Sequence, residues 1–93
     1  MRWLVLAMLL SGCAGDEFFA SALPPAPCDF EPTSVYTINY LPAAQAQAVC
    51  GGASACVYGR SLIILPRDGF SRKVVSIMRR HEFGHVNCPD WKH

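Results

Sequence analysis

The chain has 93 residues, 16% of them charged, and a formal net charge of +1. This near-neutral balance leaves no electrostatic footprint for nucleic acid or another polyanion, and the length suits one small domain. A core of that size contributes only about 3–5 kcal/mol by itself, so covalent or metal staples are expected.

At the N-terminus, Arg2 precedes eight apolar residues from Trp3 to Leu10, the layout of a secretory signal and too short a run to span a bilayer as a mature helix. Leu10-Ser11-Gly12-Cys13 resembles a bacterial lipobox, whose cysteine is acylated and becomes the first mature residue. The resemblance implies a signal peptide over residues 1–12, lipidation of Cys13 and a place in the cell envelope facing the periplasm. Ala14 is not the aspartate associated with inner-membrane retention, which leaves the outer membrane as the default. Residues 13–27 read as a lipid-anchored tether, since Pro24, Pro25 and Pro27 favour extended backbone, and residues 28–93 as the folded domain.

In an oxidising compartment Cys28, Cys50, Cys56 and Cys88 allow three pairings into two disulfides. Cys50 and Cys56 flank the short loop Gly51-Gly52-Ala53-Ser54-Ala55, which closes easily and leaves Cys28 with Cys88. No Cys-x-x-Cys pair supports the competing four-cysteine zinc site.

Residues 35–40, rich in β-branched and aromatic side chains, predict a strand. Pro42 can open a short helix over the Ala- and Gln-rich run from Ala43 to Val49. Cys56 to Leu65 reads as a second strand, bent at Gly59, with Leu62 to Leu65 as its buried part and Pro66 as its end. Asp68-Gly69 is turn chemistry, Ser71 is a candidate N-cap, and Phe70 is placed to staple onto Val75. A helix follows from about Arg72 to Val86, with Asn87 suited to a left-handed cap and Pro89 blocking continuation. Its cations Arg72, Lys73, Arg79 and Arg80 read as a solvated face. The fold class expected is α+β: a small disulfide-stapled domain with a short antiparallel sheet packed on this C-terminal helix.

The helix carries His81-Glu82-Phe83-Gly84-His85. At about 100° and about 1.5 Å per residue, His81 and His85 stand one turn apart on nearly one face, with Glu82 beside them. Two neutral imidazoles so placed suit Zn2+, an open coordination position holds water, and Glu82 is the catalytic base for that water. Val74, Met78, His81 and His85 follow i, i+4, i+7, i+11 spacing, so the metal face continues the apolar face. Gly84 inside a helix costs about 1 kcal/mol relative to alanine and signals close packing.

The strand, loop and HExxH helix over about residues 60–93 resemble the core of zincin metallopeptidases. In the metzincin variety a glycine stands three residues and a third ligand six residues beyond the second histidine. Here those positions hold Cys88 and Trp91, and no methionine turn follows. The third ligand expected is His93, with Asp90 as runner-up or as an acceptor orienting a ligand histidine. Tyr36, Tyr40 and Tyr58 read as strand aromatics, with no oxyanion role assigned. The whole layout is similar to short zincin-like lipoproteins of bacteria and their phages.

These features point to a membrane-anchored zinc metallopeptidase acting on peptides or envelope proteins, with the strand near Ser61 to Leu65 as an edge for an extended substrate. The rivals are a non-catalytic lipoprotein whose zinc site is closed by both Asp90 and His93, and an envelope or phage interaction module that binds without cleaving.

Overall fold

A computed structural model describes residues 22–93. The expected signal peptide, the lipidation at Cys13 and the first part of the expected tether lie outside the described residues. Among those residues no helix is long and apolar enough to cross a membrane.

A 3-10 turn at Ala26–Cys28 leads into β1 (Thr37–Leu41), α1 (Ala43–Val49), β2 (Cys56–Tyr58), β3 (Leu62–Pro66) and α2 (Arg72–Asn87). The three strands form one mixed sheet in the order β1-β3-β2. β1 runs parallel to β3, pairing Thr37 with Leu62 through Leu41 with Pro66, and β2 runs antiparallel to β3. The α+β class stands, but the all-antiparallel sheet does not. Parallel neighbours need a long crossover, and the stretch holding α1 and β2 supplies one.

The single strand expected from Cys56 to Leu65 is a hairpin instead. Gly59 and Arg60 adopt φ of 61° and 65°, and the Ser61 N–H donates to the Tyr58 carbonyl at 3.2 Å. Three residues, Gly59 to Ser61, separate the paired Tyr58 and Leu62, and positive φ at the first two reverses the chain within that short loop. The consequence is that β3 lies in the middle of the sheet. The segment from Ser61 to Leu65 is therefore no free edge; β2 is the edge on that side.

β3 is the structural centre because both its faces are covered. Ile63 and Leu65, each 0% exposed, join Val74, Met78, Phe83 and Val86 in the core under α2. Ile64 turns to the opposite face, where α1 packs and Ala46 is fully buried. Tyr36 closes the core edge-on to Phe83, with ring centroids 5.3 Å apart.

The ends of α2 position the chemistry. The Ser71 hydroxyl caps the start, accepting from the Val74 N–H at 3.2 Å. Asn87 is the last helical residue and is not a left-handed cap, since Arg60 is the sole non-glycine residue with positive φ among the described residues. Its side-chain amide donates to the carbonyls of Cys28 at 3.0 Å and Phe30 at 2.7 Å, and that pairing holds it in place of a cap. Disulfides join Cys28 to Cys88 and Cys50 to Cys56. The first, reinforced by an ion pair between Arg80 and Asp29, straps the start of the domain to the end of α2.

Candidate metal centre

His81 and His85 project from one side of α2, and their Nε2 atoms lie 3.1 Å apart. His93 comes back to meet them because the chain reverses just after the helix. The Trp91 N–H donates to the Cys88 carbonyl at 2.9 Å, closing a turn over Pro89 and Asp90, and Cys88 is tethered by its disulfide. His93 Nε2 then lies 3.2 Å from His81 Nε2, and ligand nitrogens of all three rings fall within 4.8 Å of one another. Nitrogens bound to one tetrahedral zinc at about 2.0–2.1 Å lie about 3.3–3.4 Å apart, so two of the three spacings are nearly those a single ion requires. The three histidines can form a metal site.

The tautomer also fits. His81 donates from Nδ1 to the Ala22 carbonyl at 2.6 Å, so its neutral ring carries the lone pair on Nε2, facing the other two imidazoles. Burial lowers the pKa of His81 despite the opposing pull of that carbonyl, and His93 lowers it further. Burial, then His81 and His93, lower that of His85. Neutral imidazoles are the metal-binding form.

Glu82 stands beside this triad, 7% exposed, and desolvation pushes its pKa up to about 7. It borders an open hollow of about 530 Å³ together with His81, His85, His93 and Arg60. A second hollow of about 340 Å³ adjoins and shares His81, Glu82, His93, Ala53 and Ala55. The glycine-rich loop closed by Cys50–Cys56 thus forms one wall, and edge strand β2 continues it.

Asp90 is exposed in the turn and is not among the three convergent donors, while Cys88 is spent in its disulfide. Tyr36 donates to Glu31 at 2.6 Å, Tyr58 donates to the Val49 carbonyl, and Tyr40 lines a separate hollow, so no tyrosine lines either hollow beside the histidines. Two contributors escaped sequence reasoning. Trp91 stacks on His85 with centroids 4.6 Å apart and lies 4.9 Å from His81, holding both rings. Residues 22–27, counted with the tether, include the Ala22 carbonyl and a buried Pro24 packed over Gly84. The sole hint of either was Gly84, where a Cβ would come within 2.5 Å of Pro24 Cβ and 2.9 Å of the Trp91 ring.

No family model matches the chain, and no curated protein or solved structure was found to be similar to it.

Proposed function

We propose that this protein is a zinc-dependent hydrolase, a peptidase acting on peptides or envelope proteins, held at the membrane through Cys13. The observation that carries the reading is the convergence of three imidazole Nε2 atoms beside a buried Glu82 on an open hollow. His81, His85 and His93 would hold the ion. Zinc in such a site supplies Lewis acidity, lowering the pKa of a water to about 7.

The remaining work belongs to the chain. One residue of helix turns Glu82 about 100° from His81, toward the hollow rather than into the donor set. A carboxylate oxygen of Glu82 accepts the proton of a water attacking a peptide carbonyl, then returns it to the departing amine. Low exposure keeps its proton affinity close to what an exchange near neutral pH requires. Three protein donors and an open side support this reading over a closed structural site, which would need Asp90 or another fourth ligand.

The test compares Glu82→Gln and His81→Ala with the parent for zinc stoichiometry, thermal midpoint and cleavage of a peptide library. Glu82→Gln should keep zinc and fold while hydrolysis falls about 10²–10⁴-fold, the scale of general-base loss. His81→Ala should lose zinc and stability together. Unchanged hydrolysis in Glu82→Gln rejects the mechanism, and a zinc-loaded parent that cleaves no peptide rejects the hydrolase reading.

A further inference from the structure

Arg60 occupies a backbone conformation that its side chain disfavours. Its φ of 65° puts a residue with a Cβ at the second central position of the β2–β3 turn, where glycine or asparagine is the usual choice. Strain of this kind persists where the surroundings over-determine it, and such places cluster at functional sites. The surroundings here are the metal centre. One guanidinium nitrogen donates to the Val86 carbonyl at 3.1 Å, one residue beyond His85, and Arg60 borders the hollow of about 530 Å³ that contains the three histidines and Glu82.

Histidines apart, Arg60 is the single cation lining that hollow, and no carboxylate among the described residues pairs with it. A guanidinium carries five N–H donors in a planar fork, and the Val86 carbonyl takes one of its nitrogens. Lys, with three diverging donors, would serve equally well to reach a lone carbonyl. The fork matches a carboxylate, bound by two parallel hydrogen bonds.

We propose that Arg60 is a specificity-determining residue that binds a carboxylate of the substrate, so that the hollow selects peptides carrying a free C-terminal carboxylate or an acidic side chain beside the bond to be cut. This rests on the hydrolase reading and adds the substrate class to it.

The test uses the zinc-loaded full chain and two small probes, the monohydroxamate of succinic acid and its primary-amide counterpart. Both carry the same hydroxamate for the metal centre and differ at the far end in carboxylate against neutral amide. Calorimetric titration of the parent should show the carboxylate probe binding about tenfold or more tightly, the scale of a charge-assisted pair. Arg60→Asn suits the turn, and should bring the two probes within about twofold of each other while leaving amide-probe affinity and thermal midpoint unchanged. Arg60→Lys, which keeps the charge without the fork, should fall between. A purely structural Arg60 would shift stability and both probes alike.

Equal affinities in the parent, or a preference that survives in Arg60→Asn, overturn the assignment of Arg60 and leave the hydrolase reading standing. Failure of both probes to bind zinc-loaded protein overturns both. Peptides then identify the source of the carboxylate. Faster cleavage of a free-acid peptide than of its C-terminal amide assigns the terminus, and equal cleavage of an amidated peptide with glutamate beside the bond assigns the side chain. Indifference to both overturns the proposal.

Discussion

Gly84 shows how one missing methyl group joins packing to chemistry. Helix propensity alone favours alanine there by about 1 kcal/mol. Against this, the new Cβ would lie 2.5 Å from Pro24 and 2.9 Å from Trp91, and overpacking costs about 1–3 kcal/mol. Overpacking wins, because both neighbours are pinned: Pro24 is buried and Trp91 is wedged against His85. Gly84→Ala should therefore lower the thermal midpoint and weaken zinc binding, read by melting and by competition with a chelator; a raised midpoint would show that propensity prevails. Asp29 is a simpler case. A hydrogen bond from Arg80 holds the Asp29 pKa below the usual value; burial opposes it, and the charge of Arg80 adds a further lowering. A folded pKa below the unfolded one contributes stability above about pH 4, lost as pH falls through the lowered value. Arg80 is exposed and Asp29 partly so, and solvent screens the pair, so Asp29→Asn should cost no more than about 1 kcal/mol at pH 7 and nothing once both states are protonated. Urea melts across the acid range would show the two proteins converging, and a constant difference would sink the assignment.

At the scale of elements, the centre is made by segments that close on α2 from both directions. The helix offers two imidazoles, but the strap at residues 22–27 orients one of them, and the turn after Cys88 returns the third. A variant lacking residues 1–24 removes the carbonyl that holds His81 and the Pro24 wedge, while Cys28–Cys88 keeps the domain closed. Its zinc affinity should drop about 10–100-fold, the usual consequence of losing the partner that orients a ligand histidine. Chelator competition beside the parent measures this. Undiminished affinity would mean that Trp91 alone suffices to fix the ring.

Across the whole molecule, the Cys28–Cys88 disulfide supplies stability that a core of this size does not. Cys28 and Cys88 are 60 residues apart in sequence, and closing a loop of that length is worth about 4 kcal/mol in the chain-entropy account, as much as a core of this size contributes. The double variant Cys28→Ser/Cys88→Ser should therefore be largely unfolded without zinc and regain structure as zinc is added, since a ligand bound only by the folded state stabilises it. Circular dichroism during a zinc titration would follow this. A variant as stable as the parent without metal would show that the sheet and α2 hold together unaided.

Features that depend on near neighbours in the chain were legible in the residues themselves. The cap at Ser71, the helix over Ala43–Val49 and the placing of His81, Glu82 and His85 on one helix follow from local hydrogen bonding and a 3.6-residue period. The Cys50–Cys56 closure follows from loop length, and Cys28–Cys88 is what then remains. Tertiary structure alone decided that β1 runs parallel to β3, because side-chain alternation is blind to strand direction. It alone placed Arg60 in the middle of a turn, where neither a Gly-Arg pair nor the apolar run on either side announced a reversal. It also decided that the Ala22 carbonyl and Trp91 hold the histidines, and that His93 rather than Asp90 joins them. A backbone carbonyl has no signature in sequence, and a contact across 59 residues is fixed by the packing of Pro24 on Gly84 and by the disulfide that closes the domain.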